Sequence, residues 1–133
     1  MNQDLEQLIS KYQNHPDFLG LPITGVNQPG AVDDCLLHIA ARKGALHDIE
    51  ALVAAGAEVN LPGDLGNTPL HNAALTGSKP AVLKLLQLGA KTHIKNEFGE
   101  TAAEVAKRGG RADLAEIFLL VANAQSGETG SDH

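Results

Sequence analysis

"DLGNTPLHNAALTG", Asp64 to Gly77, sets Thr68, Pro69, Leu70, His71, Ala73 and Ala74 almost side by side between glycines. Either the stretch surrounds an active-site His71 or it is one copy of a structural unit. Sliding the sequence by 33 residues decides between them. "CLLHIAARKGALHDIEALVAAGAEVN" (Cys35 to Asn60) then falls on "TPLHNAALTGSKPAVLKLLQLGAKTH" (Thr68 to His93) without a gap. Leu37 meets Leu70, His38 meets His71, Ala40-Ala41 meets Ala73-Ala74, Gly44 meets Gly77, Leu52 meets Leu85, and Gly56-Ala57 meets Gly89-Ala90. A second shift brings in Thr101 to Asn123, where Thr101, Ala106, Gly110 and Leu119 keep register and the rest has drifted, as terminal repeats do.

Local chemistry gives each unit a shape. Thr68 is a good helix N-cap, and Pro69 follows at N1, where a missing N–H costs nothing. Gly77 stops the first helix by tolerating positive φ. Val82, Leu85 and Leu86 make an apolar stripe on a second helix that ends at Gly89. "GDLGN" and "NEFGE" read as hairpin-like turns around Gly66 and Gly99. The pattern predicts helices over 35–43, 46–55, 69–76, 79–88, 102–109 and 112–122. A single unit cannot bury its apolar face alone, so neighbours must stack. Upstream, Leu5, Leu8, Ile9 and Tyr12 recur at helical spacing. Asn2 or Asp4 would cap that helix and His15-Pro16 would end it, and its expected role is to cover the open face of the first repeat. "GLPITGVNQPGAVDD" (Gly20 to Asp34) reads as an ordered loop, and "AQSGETGSDH" as a flexible tail over 124–133.

These offsets resemble the ankyrin-repeat family, whose G-x-T-P-L-H-x-A-A-x-x-G and V-x-x-L-L-x-x-G-A signature the second unit carries at Gly66, Thr68, Pro69, Leu70, His71, Ala73, Ala74, Gly77, Val82, Leu85, Leu86, Gly89 and Ala90. The resemblance covers about residues 30–123, as repeats 30–62, 63–95 and 96–123, with 1–29 as a capping helix and loop. It implies an all-α solenoid of stacked helix-turn-helix units with protruding loops.

Composition agrees. The 133 residues are 43% hydrophobic, with only Phe18, Phe98, Phe118 and Tyr12 aromatic and no Trp. Such a core is built from Ala, Leu, Val and Ile, whose small members let helices approach closely. A net charge of −6, from 16 acidic and 10 basic side chains, argues against a duplex nucleic-acid binder. No apolar run is long enough to span a membrane, and acidic Asp4 and Glu6 argue against a secretory signal. The single Cys35 points to a reducing, cytoplasmic setting.

The candidate catalytic groups dissolve one by one. His38 and His71 hold the same repeat position, and the resemblance implies that they brace loops. Six histidines show no H-x-x-x-H pair and no C-x-x-C exists, so no metal site is expected. Cys35 replaces the capping threonine at a helix start, a place that can lower a thiol pKa, but it reads as a small structural residue. Glu104 stands in the histidine position of the third repeat and reads as a solvated face. No glycine-rich phosphate loop and no G-x-S-x-G occurs. No catalytic residue and no cofactor is therefore expected.

What remains is a binding surface. By repeat position, the resemblance implies that loop tips Val32, Asp34, Asp64, Leu65, Asn67, Glu97, Phe98 and Glu100, and first-helix positions Arg42, Lys43, Leu75, Thr76 and Arg108, meet a protein partner. Val32, Leu65 and Phe98 would form an apolar ladder, with Arg42, Lys43 and Arg108 lending positive charge beside it. The expected function is a non-enzymatic adaptor or inhibitor. Its alternatives are an immunity or anti-toxin protein and a regulatory fragment of a larger chain. A monomer is expected, with self-association through Leu120 and Val121 of the last helix as a second surface.

Overall fold

A computed structural model describes the backbone of residues 3–18, 20, 23, 25–30 and 33–130, with side chains between 6 and 121. Among these residues there are seven α-helices and no strand. They are α1 (Gln3–Gln13), α2 (Leu36–Lys43), α3 (Leu46–Ala54), α4 (Pro69–Thr76), α5 (Lys79–Gln87), α6 (Ala102–Arg108) and α7 (Ala112–Gly130). Asn2 and the side chains of Asp4 and Leu5 lie outside the described set, so the expected N-cap of α1 does too.

The second repeat starts its first helix with both a hydroxyl cap and a proline. The Thr68 hydroxyl accepts from the His71 N–H, and Pro69 occupies the first turn. Gly44 and Gly77 end α2 and α4 in the left-handed region, at φ 66° and 79°, which glycine reaches without strain. The chain then turns back into α3 or α5.

The first helices stack in one row, α2 against α4 and α4 against α6, while α3 lies on α5. Ala40, Ala41, Ala73, Ala74 and Ala106 are fully buried in that row, where side chains this small allow close approach. Leu37, Leu70, Ile49, Leu52, Val82 and Leu85 fill the space between rows. Burying each of these larger side chains contributes about 1.5–3 kcal/mol.

The N-terminal segment closes one end of the stack. Helix α1 lies on α3, with Leu8, Tyr12 and Phe18 buried. The Tyr12 hydroxyl donates to Asp48 Oδ2 at 2.9 Å, and Lys11 Nζ reaches the same oxygen at 2.7 Å. Lys43 Nζ stands 5.0 Å from the Tyr12 ring centre. Burial, then the bond to Asp48, raises the Tyr12 hydroxyl well above its ordinary pKa.

The loop after α1 belongs to the repeat register. "VNQPG" (Val26 to Gly30) recurs 33 residues on as "VNLPG" (Val59 to Gly63). Asn27 donates to Gly56 O at 3.2 Å and accepts from Glu58 N at 2.9 Å. Asn60 does the same one repeat later, to Gly89 O at 3.4 Å and from Lys91 N at 2.8 Å. The last helix also departs from expectation. It continues past 122 to Gly130.

Candidate functional site

Three hairpins leave the same edge of the stack. Gly30 N donates to Asp34 O, Gly63 N to Asn67 O and Asn96 N to Glu100 O, at 2.8–2.9 Å. Their bends need a left-handed residue, supplied by Asp33 (φ 69°), Gly66 (φ 74°) and Gly99 (φ 75°). Neighbouring hairpins are bonded together: Asp64 N to Asp34 Oδ1, Glu97 N to Leu65 O, and Asn96 Nδ2 to Asn67 Oδ1, each 2.9 Å. The loop edge is thus held on both sides rather than only at its stems.

The two histidines are the struts of this edge. His38 Nδ1 accepts from the Cys35 N–H at 3.0 Å, and His71 Nδ1 from the Thr68 N–H at 3.1 Å. Each ring then carries its proton on Nε2, which donates to Leu61 O at 2.7 Å or Glu100 O at 2.8 Å. Both imidazoles are buried and their pKa lies below the ordinary value, chiefly because burial disfavours the cation. A ring with both nitrogens so engaged is placed for support rather than proton transfer. In the third repeat Glu104 takes the position, its carboxylate accepting from Thr101 N at 3.0 Å while Thr101 Oγ1 accepts from Glu104 N at 3.3 Å. That is a capping box, legible as T-A-A-E, and it gives an exposed side chain a definite structural task.

Cys35 behaves opposite to a reactive helix-start thiol. It is buried, its Sγ donates to Asn27 O at 3.1 Å, and its pKa is pushed up to about 11 by burial, then by the Asp34 and Glu58 charges. No group of three or more His, Cys, Asp or Glu among the described residues is arranged to hold a metal ion.

The expected contact residues separate into three sets. Asp64, Leu65, Glu97 and Phe98 are exposed at the tips, Phe98 by 67%. Leu65 holds φ 59° and ψ 22°, a left-handed conformation that costs a side-chain-bearing residue about 1–2 kcal/mol. Leu75, Thr76 and Lys43 are exposed on the first-helix row, Leu75 by 50%. The third set is turned inward or paired. Asp34 is only 2% exposed, contrary to its reading as a tip residue, because it bonds the next hairpin and pairs with Arg42. Asn67 is half-buried under Asn96. Glu100 takes Arg108 in two bonds, Nε to Oε2 at 2.7 Å and Nη2 to Oε1 at 3.0 Å. That pairing holds the Glu100 carboxyl below its usual pKa. Val32 lies outside the described residues.

The ion pairs follow the repeat. Arg42–Asp34 and Arg108–Glu100 are the same pair two repeats apart, and Arg42 also lies 3.7 Å from Asp17. The expected free cations at 42 and 108 are therefore already neutralised within the chain. In the middle repeat the same positions hold Leu75 and Asn67, which cannot form an ion pair. An exposed leucine thus stands between two closed ion pairs, and Phe98, Glu100 and Arg108 line a cleft of about 310 Å³.

A family model described as ankyrin repeats (three copies) matches the chain over residues 8–96 and again over 37–129. The match begins and ends beyond the 30–123 read from the signature, and its start at residue 8 takes in Tyr12 of α1 and the "VNQPG" loop. Among curated proteins, none matches the sequence.

Proposed function

Because the chain belongs to the ankyrin-repeat family and so is a protein-interaction module, we propose that it binds a protein partner along its hairpin tips and first-helix row, as an adaptor or inhibitor without catalytic chemistry. The observation that carries this reading is the interrupted ion-pair series. Leu75 is the apolar interruption, and Leu65 and Phe98 present further apolar surface at the tips. The strain at Leu65 supports it as well, since a glycine would fill that turn without cost and only the side chain distinguishes them. Asp64 and Glu97 flank these residues, so the partner that fits offers an apolar anchor bordered by basic groups.

An inhibitory role of the immunity-protein kind is the narrower form of this proposal, and the net charge of −6 favours it against a basic effector. The test is affinity capture from native lysate, followed by titration of the captured protein with a Leu65→Gly, Phe98→Ala double variant. Glycine relieves the left-handed strain, so folding is kept while both tips are lost. A weakening of tenfold or more, about 1.4 kcal/mol or beyond, is expected. Unchanged affinity would show the tips to be mere turn braces.

A further inference from the structure

Helices α6 and α7 form the end of the stack opposite α1. The repeat register says what an internal repeat buries there: Leu70, Ala74 and Val82 are buried in the second repeat. Their counterparts 33 residues later are Ala103, Lys107 and Ala115. Between the two helices runs an open cleft of about 620 Å³, lined by Ala103, Lys107, Ala115, Glu116, Phe118 and Leu119 among others. Leu119 and the adjacent Leu120 are 61% and 65% exposed. Ala112, Ala115 and Leu119 follow the three-then-four spacing with which one helix presents a seam to another.

The charges on this face select the occupant. Lys107 on α6 and Glu116 on α7 both line the cleft, both are exposed, and neither has an ion-pair partner among the described residues; Glu104 lines it too, with its carboxylate engaged by Thr101 N at the start of α6. A uniformly basic or acidic partner would leave one of them opposed by like charge. A copy of the same face, turned by a two-fold axis, sets each Lys107 against the other copy's Glu116 and brings the two Leu119 side chains together. Helix α7 is 19 residues long, about 28 Å at 1.5 Å per residue, which gives an antiparallel pair ample length.

We propose that the protein self-associates end to end as a two-fold dimer through α6 and α7, with Leu119 at the centre and reciprocal Lys107–Glu116 ion pairs at its rim. The contact is separate from the hairpin tips, so it stands or falls independently of the partner-binding reading.

Sedimentation equilibrium of the full chain tests it, with loading from about 1 to about 500 µM. The mass is expected to rise from 13.9 kDa toward twice that value. Leu119→Glu should hold it at the monomer value. Lys107→Glu should weaken association at least tenfold, and adding Glu116→Lys to the same chain should recover it. All three positions are exposed, and far-UV circular dichroism verifies that each variant remains helical. A wild-type mass of 13.9 kDa at every loading overturns the proposal. So does a dimer that survives Leu119→Glu, or a charge-swapped chain that stays as weak as Lys107→Glu alone.

Discussion

His71 ties the second repeat to the third: its Nε2 donates to the backbone carbonyl of Glu100 across 2.8 Å, while its Nδ1 accepts from Thr68 in its own repeat. His38 makes the equivalent reach from the first repeat, to Leu61 O. Each ring must be neutral to do this, since a protonated Nδ1 has no lone pair for the N–H at the helix start. The struts of the loop edge are therefore sensitive to protons.

Stability should fall on mild acidification. Both imidazoles have folded pKa values below their ordinary 6.5, so the unfolded chain binds more protons in the window beneath 6.5. Their contribution is complete above that value, shrinks as pH drops through it, and is gone below the folded pKa. The carboxylates Asp48, Glu100 and Glu104 have lowered pKa values too, and their contribution is lost at more acid pH, below their ordinary 3.8–4.5. Urea midpoints at pH 7.5 and 5.5 check the histidine window. A midpoint that stays flat between them would remove the struts from the account.

Gly63 should not tolerate alanine. A Cβ there would stand 2.4 Å from Asp34 Oδ1 and 2.8 Å from His38 Nε2, so the added methyl meets the ion-paired carboxylate and the strut at once. A loss of about 1–3 kcal/mol is expected from such overpacking. Gly25→Ala is the control, because nothing lies within 4 Å of its Cβ position. Chemical denaturation of both variants measures the difference; equal midpoints would contradict the crowding.

Cys35 should react slowly. With its pKa pushed up to about 11, the thiol is overwhelmingly protonated at pH 7.5, and burial hides the sulfur as well. Labelling by a thiol-specific reagent should be far slower in the folded protein than in urea. Fast labelling without denaturant would mean that the Asn27–Cys35 contact opens readily.

The helices were legible because the repeat states each boundary more than once. Thr68-Pro69 and Gly77 bracket α4, and the observed Pro69–Thr76 matches the expected 69–76. The tertiary roles were less so. Asp34 looked like a tip residue because its register position is Asn67 in the second repeat and Glu100 in the third, and only the fold brings Arg42, eight residues on, against it. The Asp34/Arg42 and Glu100/Arg108 pairs do share one spacing, and that signal was available in the sequence. So was "VNxPG", which shows the segment before Cys35 to be in repeat register. The length of α7 was hidden because Ser126, Gly127 and Gly130 weaken the helix pattern there.

Asn72 offers a way to strengthen the stack. Its side chain is buried in the first-helix row, and its Nδ2 has no hydrogen-bond partner. The same register position holds Ile39 in the first repeat and Val105 in the third, both buried. A lone amide among aliphatic neighbours loses its hydration without compensation, a cost of about 1–3 kcal/mol. Asn72→Val removes that orphan donor, adds little volume and has a similar helix propensity. The variant should gain about 1 kcal/mol, or about 3–5 °C in Tm by calorimetry. A lower Tm would mean that the amide is satisfied in solution, and that the seam between α2, α4 and α6 is wetter at its middle than at its flanks.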